Sequence, residues 1–212
     1  MTGLALSAPA WALAAVLALS APAWALAAVL AVTAAAAGLA YVLLVRGSLG
    51  LDIGWGRSVR TLGPVVVQIG APRELVFEVI ASAYTGHGSR EVREKLEVLE
   101  RGSDMVLAAH FTRVRGFTVT TVETVRFSPP ERVDFRLVRG PVPHVVERFV
   151  LREVPEGTEL EYSGEMGADL WWLGRAWSRR VARIWTEVVN ASLGEVKAVA
   201  QQRTEAQERR ER

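Results

Sequence analysis

Cysteine is absent from the 212 residues, which excludes disulfides, thiol nucleophiles, thiolate metal sites and lipid attached through cysteine. Charge is absent from the N-terminal stretch: no Lys, Arg, Asp, Glu or His precedes Arg46, and all 25 basic and 23 acidic residues follow. Histidine is scarce, at His87, His110 and His144, and no two of these share a metal-ligand spacing, so metal binding is not expected. Lysine occurs only as Lys95 and Lys197. The net charge is +2, and the arginines are interspersed with acidic residues rather than gathered in a block, so nucleic acid is not expected as a partner. There is no Gly-rich phosphate loop and no GxSxG elbow, and a Cys/His dyad is impossible. No cofactor is expected.

What is present divides by composition. Gly3 to Val45 is uncharged and apolar, about twice the ~20 residues a helix needs to cross a bilayer, so residues 1–45 are expected to form a transmembrane anchor. Within it Leu6 to Ala18 is repeated unchanged as Leu19 to Ala31, too short a period for a solenoid. Two arrangements compete. In one, Ser20, Ala21 and Pro22 turn between two helices; in the other, only Ala23 to Val45 spans and the earlier copy lies in the interface or kinks at Pro9. A cleaved signal peptide fits less well, because the first residues lack a positive charge and apolar sequence runs well beyond Ala23-Trp24-Ala25. Arg46, Arg57 and Arg60 follow the last span and nothing basic precedes the first, which predicts a cell-membrane protein with its large domain in the cytoplasm. Residues 46–62 carry several glycines and are expected to form a flexible juxtamembrane linker, with Trp55 beside Arg57 and Arg60 suited to the headgroup region.

From residue 63 onwards the chain has the size and mixture of one globular domain. Period-two alternation predicts strands at Val65 to Ile69, Lys95 to Leu99, Met105 to Val114, Phe117 to Phe127, Val133 to Arg139, His144 to Val154 and Thr158 to Met166. Hairpin-sized separators rich in Gly and Pro imply an antiparallel meander. APRELVFEVIAS, residues 71–82, has apolar residues at helical spacing; a short polar helical turn is expected from Ser89 to Glu94. A long amphipathic helix from about Asp169 to Arg203 closes the domain, and a charged, frayed tail occupies 203–212.

The opening strand with APRELVFEVIAS, the hairpin GFTVTTVETVRFSPPERVDFRLV and the Trp-rich final helix together resemble the START-like superfamily, also called SRPBCC or polyketide cyclase/dehydrase-like. The resemblance covers roughly residues 62–202. It implies an α+β helix-grip fold, in which a curved antiparallel sheet of about seven strands wraps a long C-terminal helix, here preceded by one or two transmembrane helices. It also implies a ligand-binding domain over 63–202 with an apolar cavity, in a superfamily whose roles include lipid carriage, hormone sensing and aromatic-ring cyclisation.

Alternation also selects candidate site residues, since residues two apart share a face. Phe117, Thr121 and Glu123 fall on one apolar row; Val145, Glu147 and Phe149 on another; and Phe135, Leu137 and Arg139 on the strand between. Leu137 is then expected between Glu123 and Glu147, with Arg139 a diagonal step from each. An inward carboxylate costs several kcal/mol unless paired or protonated, which makes Glu123, Glu147 and Arg139 the catalytic candidates. The bland alternative is a structural ion pair or charges that reach solvent. On the strand that carries His110, either Val106, Ala108 and His110 or Leu107, Ala109 and Phe111 face inward, and a lone histidine of this kind is more often a wall residue than a base. Tyr162, Met166, Trp172 and Trp177, with Trp171 and Trp185, are expected to line a pocket against the final helix, although packing alone accounts for many such tryptophans. Trp171 and Trp172 are adjacent and cannot both face the core, so one is expected at a cavity mouth or the membrane.

The expected function is membrane-tethered binding or transfer of a hydrophobic small molecule, a lipid, isoprenoid or polyketide-like compound. The alternatives are a cyclase or dehydratase-type enzyme using a buried Glu, and a non-catalytic membrane-recruitment module.

Overall fold

A computed structural model describes residues 10–47, 50, 52–85, 94–114 and 116–211. The chain divides into two units, residues 1–42 and 43–212. The helix α1 (Ala10–Val45) is continuous, so the turn expected at Ser20, Ala21 and Pro22 is not formed. Pro22 lacks an N–H and forfeits one backbone bond, but the alanine- and leucine-rich flanks carry the helix past it. Its segment Ala23–Val45, 23 residues with a mean hydropathy of 2.3, is long and apolar enough to cross a membrane.

In the second unit the elements are β1 (Ser58–Ile69), α2 (Arg73–Ser82), β2 (Leu96–Arg101), β3 (Met105–Val114), β4 (Phe117–Ser128), β5 (Arg132–Arg139), β6 (His144–Val154), β7 (Gly157–Ala168) and α3 (Trp171–Glu211). The seven strands form one antiparallel sheet in the order β1-β7-β6-β5-β4-β3-β2, so β2 to β7 are a meander and β1 pairs back onto β7. The helix α3 packs on β1 and β7, and α2 packs on α3, β6 and β7. Val76 of α2, Val125 and Val133 of the sheet, and Leu193 and Ala200 of α3 meet in one core with almost no exposed surface. The expected curved sheet and long C-terminal helix are thus observed. The helical turn expected at Ser89 to Glu94 lies almost wholly outside the described residues.

Three differences from the sequence reading have local causes. β1 begins seven residues earlier than expected, because Gly63 and Pro64 form a bulge instead of ending the strand: Leu62 pairs with Gly164, and Val65 with Tyr162. Pro64 cannot donate to the ladder, and Gly63, at φ +76°, takes up the extra backbone length. Residues 46–62, read as a flexible linker, therefore contribute Ser58–Leu62 to the sheet. The tail read as frayed is helical as far as Glu211, being rich in strong helix formers and carrying an Arg209–Glu205 pair at i, i+4, 3.5 Å apart.

Candidate functional site

Six polar side chains, from five elements and one turn, converge on the inner face of the sheet. β4 supplies Glu123, 5% exposed, and β6 supplies Glu147, 6% exposed. Each carboxylate is given room by a small neighbour. Glu123 stands opposite Ala108 of β3, and Glu147 opposite Gly164 of β7. A Cβ on Gly164 would lie 3.1 Å from the Glu147 Cγ and 2.6 Å from the Val146 carbonyl oxygen, so only glycine fits there.

Two donors converge on one oxygen of Glu147. The Tyr162 hydroxyl donates to Oε1 at 2.5 Å, and the Trp185 indole Nε1–H, from α3, donates to the same atom at 2.6 Å. His110 Nδ1 lies 3.3 Å from Glu123 Oε2, and its Nε2 lies 3.2 Å from the hydroxyl of Tyr84, in the turn after α2. A file of aromatic rings walls the carboxylates: Tyr84 against Phe135, Phe135 against Phe149, and Phe149 against Tyr162, with centroids 5.2–6.4 Å apart.

This setting alters the acid–base character of the group. Burial, and then the neighbouring Glu123 carboxylate, push Glu147 up from 4.5 to about 7, against the opposing pull of the Tyr162 and Trp185 hydrogen bonds and the charge of His110. Burial and then the two carboxylates raise the Tyr84 phenol; burial and then Glu147 raise that of Tyr162, so both remain proton donors. A carboxyl that titrates near neutrality inside an apolar wall can take up or release a proton under physiological conditions. Because Trp185 stabilises the charged form, Trp185→Phe is expected to move the Glu147 midpoint further up. Infrared titration of the protonated carboxyl band measures this, and a downward or absent movement would contradict the assignment.

The structure brings Glu123, Glu147, Thr121, Phe135, Tyr162 and Met166 to the interior, Met166 with no exposed surface, and leaves His110 partly buried beside Glu123. For β3 it selects the face of Val106, Ala108 and His110. Arg139 does not join the carboxylates. A bulge pairs Val122 with Arg139 but Glu123 with Leu137, so Val138 is the extra residue, alternation resets, and Arg139 is exposed. Glu147 pairs with Phe135, two residues from the expected Leu137, and the pairing between β5 and β6 ends at Arg136 and Val146. Pro141 and Pro143, in the turn beyond, have no N–H with which to extend the ladder.

Phe117 is 42% exposed beside the β3–β4 turn, and Trp172 is 66% exposed. Trp177 is half-buried and donates to the Pro141 carbonyl at 2.7 Å, and with Ile53, Leu170 and Leu173 it lines a depression of about 140 Å³ at the sheet end. His144 pairs with Glu165 at 2.9 Å, and His87 lies outside the described residues.

Tyr84 is a site residue that the sequence reading missed, although it continues the helical spacing of Val76 and Ile80. Asp169 is another polar centre it missed. Its carboxylate accepts from the Arg57 Nε–H at 2.7 Å and from the backbone N–H groups of Ile53 and Gly54 at 2.8 Å each. Its position just before α3, where helix-capping residues fall, was the available signal.

No protein-family model matches the chain, and no curated protein sequence matches it significantly. Solved structures do. The Zhui aromatase/cyclase from Streptomyces sp. R1128 superposes with a TM-score of 0.57 at 18% identity, over 69% of this chain and 96% of that one. The di-domain ARO/CYC StfQ from the steffimycin biosynthetic pathway gives 0.55 at 14% identity, over 70% of this chain and 52% of that one, so the chain spans about half of that protein. Norcoclaurine synthase from Thalictrum flavum, solved with dopamine and hydroxybenzaldehyde, gives 0.53 at 12% identity, over 70% and 90%. At these identities the likeness establishes the fold alone: the second unit has a helix-grip fold, a seven-stranded antiparallel sheet with a long C-terminal helix.

Proposed function

We propose that the second unit holds an apolar small molecule bearing a carbonyl or hydroxyl group between its sheet and α3, and that Ala23–Val45 tethers it to a bilayer. The observation that carries the reading is Glu147, a buried carboxyl near neutrality, fixed by Tyr162 and Trp185 and walled by Phe135 and Phe149. Such a wall favours a hydrocarbon body, while a protonated Glu147 donates a hydrogen bond to an oxygen that water would otherwise solvate. The aromatic rings suit a polyketide-like or isoprenoid ligand. Tethering concentrates the domain where such a ligand dissolves. Arg46, Arg57 and Arg60, following the span, favour a cytoplasmic domain.

The near-neutral Glu147 also supports a catalytic reading, a cyclase or dehydratase step, in line with the aromatase/cyclase character of two of the similar structures. In it the Glu147 carboxylate takes the proton from the carbon beside a ligand carbonyl while Tyr162 donates a hydrogen bond to the developing enolate oxygen. The hydroxyl at the β carbon then leaves as water, taking its proton from the protonated Glu147.

Solvent extraction of the full-length chain purified in detergent, followed by mass spectrometry, is the test. An apolar, oxygen-bearing molecule is expected to co-purify, in lower yield from Glu147→Gln. Release of detergent and bulk phospholipid alone would count against the reading.

A further inference from the structure

Beside the N-terminus of α3 the second unit exposes large apolar side chains that the core does not use. Ile53 is 53% exposed, Trp55 66%, Trp171 52%, Trp172 66% and Leu173 52%. They are held together. The Trp55 and Trp171 rings lie 5.1 Å apart, and the Leu170 and Trp171 N–H groups donate to the carbonyls of Trp55 and Gly56, each at 2.9 Å. Leu170 and Trp171 adopt left-handed backbone, φ 70° and 46°, a strained geometry for such side chains that persists only where surrounding contacts impose it. The fold therefore holds Trp55 and Trp171 at the surface by rigid means, with Trp172 exposed beside them, and apolar patches of this kind mark interaction sites.

The charge around the patch identifies the partner. Arg175, Arg179 and Arg183 are exposed and lie at four-residue spacing on the α3 stripe that also carries Trp172. Among the described residues no carboxylate pairs with any of them. The first turn of α3 has no acidic residue to offset them. Tryptophan above a row of arginines matches the interface of an anionic bilayer, where indole rings sit at headgroup level and arginines meet lipid phosphates. Chain length agrees: Ile53 is eight residues from Val45, a reach of at most about 28 Å.

We propose that Trp55, Trp171, Trp172 and the α3 arginines form a docking face that lays the second unit on an anionic leaflet. The inference rests on the reading of Ala23–Val45 as a membrane anchor. It makes the domain's orientation a property of its own surface, with the α3 N-terminus against the lipid and the β6–β7 turn, at the other end of β7, away from it.

The natural absence of cysteine permits single spin labels on the full-length chain, through Trp172→Cys or, as a distant exposed control, Glu156→Cys. In nanodiscs of phosphatidylcholine with phosphatidylglycerol, the label at 172 is expected to collide several-fold less with a water-soluble nickel chelate than the label at 156, and more with oxygen. That contrast shrinks when Arg175, Arg179 and Arg183 are all changed to Gln, and in discs of phosphatidylcholine alone. A chain that co-floats with the discs while both labels meet nickel equally overturns the docking face and leaves the anchor standing. A chain that does not co-float overturns both. Protection at 172 accompanied by spin–spin broadening between chains would assign the face to a second copy and overturn the lipid assignment.

Discussion

Glu147→Gln is expected to stabilise the chain above neutral pH, progressively less as the pH falls, and to have little effect below about pH 4.5. The native carboxyl binds its proton more tightly folded than unfolded, with a midpoint near 7 against 4.5. Between those values the folded state holds more protons than the unfolded one, so stability falls as pH rises. Below about 4.5 both states are protonated and no penalty exists. Above about 7 both are ionised, and the full cost of a buried charge, on the order of 3 kcal/mol, applies. Glutamine carries no charge, and its amide oxygen can still accept from Tyr162 and Trp185, so it removes the penalty while keeping the bonds. Urea titrations followed by tryptophan fluorescence across this range measure the difference. Because the Glu123 charge is the second cause of the shift, Glu123→Gln should lower the upper edge of the window and shrink the penalty. A uniform loss of stability at every pH would show that Glu147 acts as a structural acceptor, and would remove the physical basis for an acid–base role.

That this carboxylate lies inside was readable because β6 alternates without interruption: Val145, Glu147 and Leu151 fall on one face and all three are buried. The same rule placed Glu123 correctly and Arg139 incorrectly. The bulge at Val138 is a one-residue irregularity with no marker in RVDFRLVR, and after it every parity argument inverts. Trp185 could be ranked among pocket-lining residues from helical spacing, but its hydrogen bond to a strand 38 residues away follows from how α3 lies across the sheet, which a linear pattern does not contain. The glycines of the juxtamembrane segment misled in a different way. Read as flexibility, Gly54 and Gly56 instead adopt φ of +70° and +63°, turns that aim two N–H groups at Asp169. At Gly56 a Cβ would strike the Trp171 ring, 2.5 Å away. Composition separates flexible from rigid glycine only once the partner is known, and this partner is more than a hundred residues distant.

Asp169→Ala is expected to release the segment before β1 and to cost about 2–3 kcal/mol, because it leaves two backbone donors without their acceptor and takes from Arg57 the buried one of its two carboxylate partners. The Asp169 side chain is 3% exposed, and it receives Ile53, Gly54 and both Nε and Nη2 of Arg57. Arg57 retains Asp52, which is 67% exposed and a weaker partner. The pH dependence has the opposite sign to that of Glu147. The Arg57 hydrogen bond and those of Gly54 and Ile53 hold the Asp169 carboxyl below its usual 3.8, so the stabilisation is complete above that value and is lost as acid protonates the group in the folded state. Hydrogen exchange reads the local effect directly. Amides of Ile53 and Gly54, and of Leu170 and Trp171 opposite them, should lose protection in Asp169→Ala, while β3 and β4 keep theirs. Asp169→Asn, which retains an acceptor for the two backbone donors but not the charge, should recover part of the loss. If the alanine variant left protection at 53 and 54 unchanged, the segment would be held by the Trp55 and Trp171 contacts alone. The clamp formed by Asp169 would then have no part in presenting the tryptophan face.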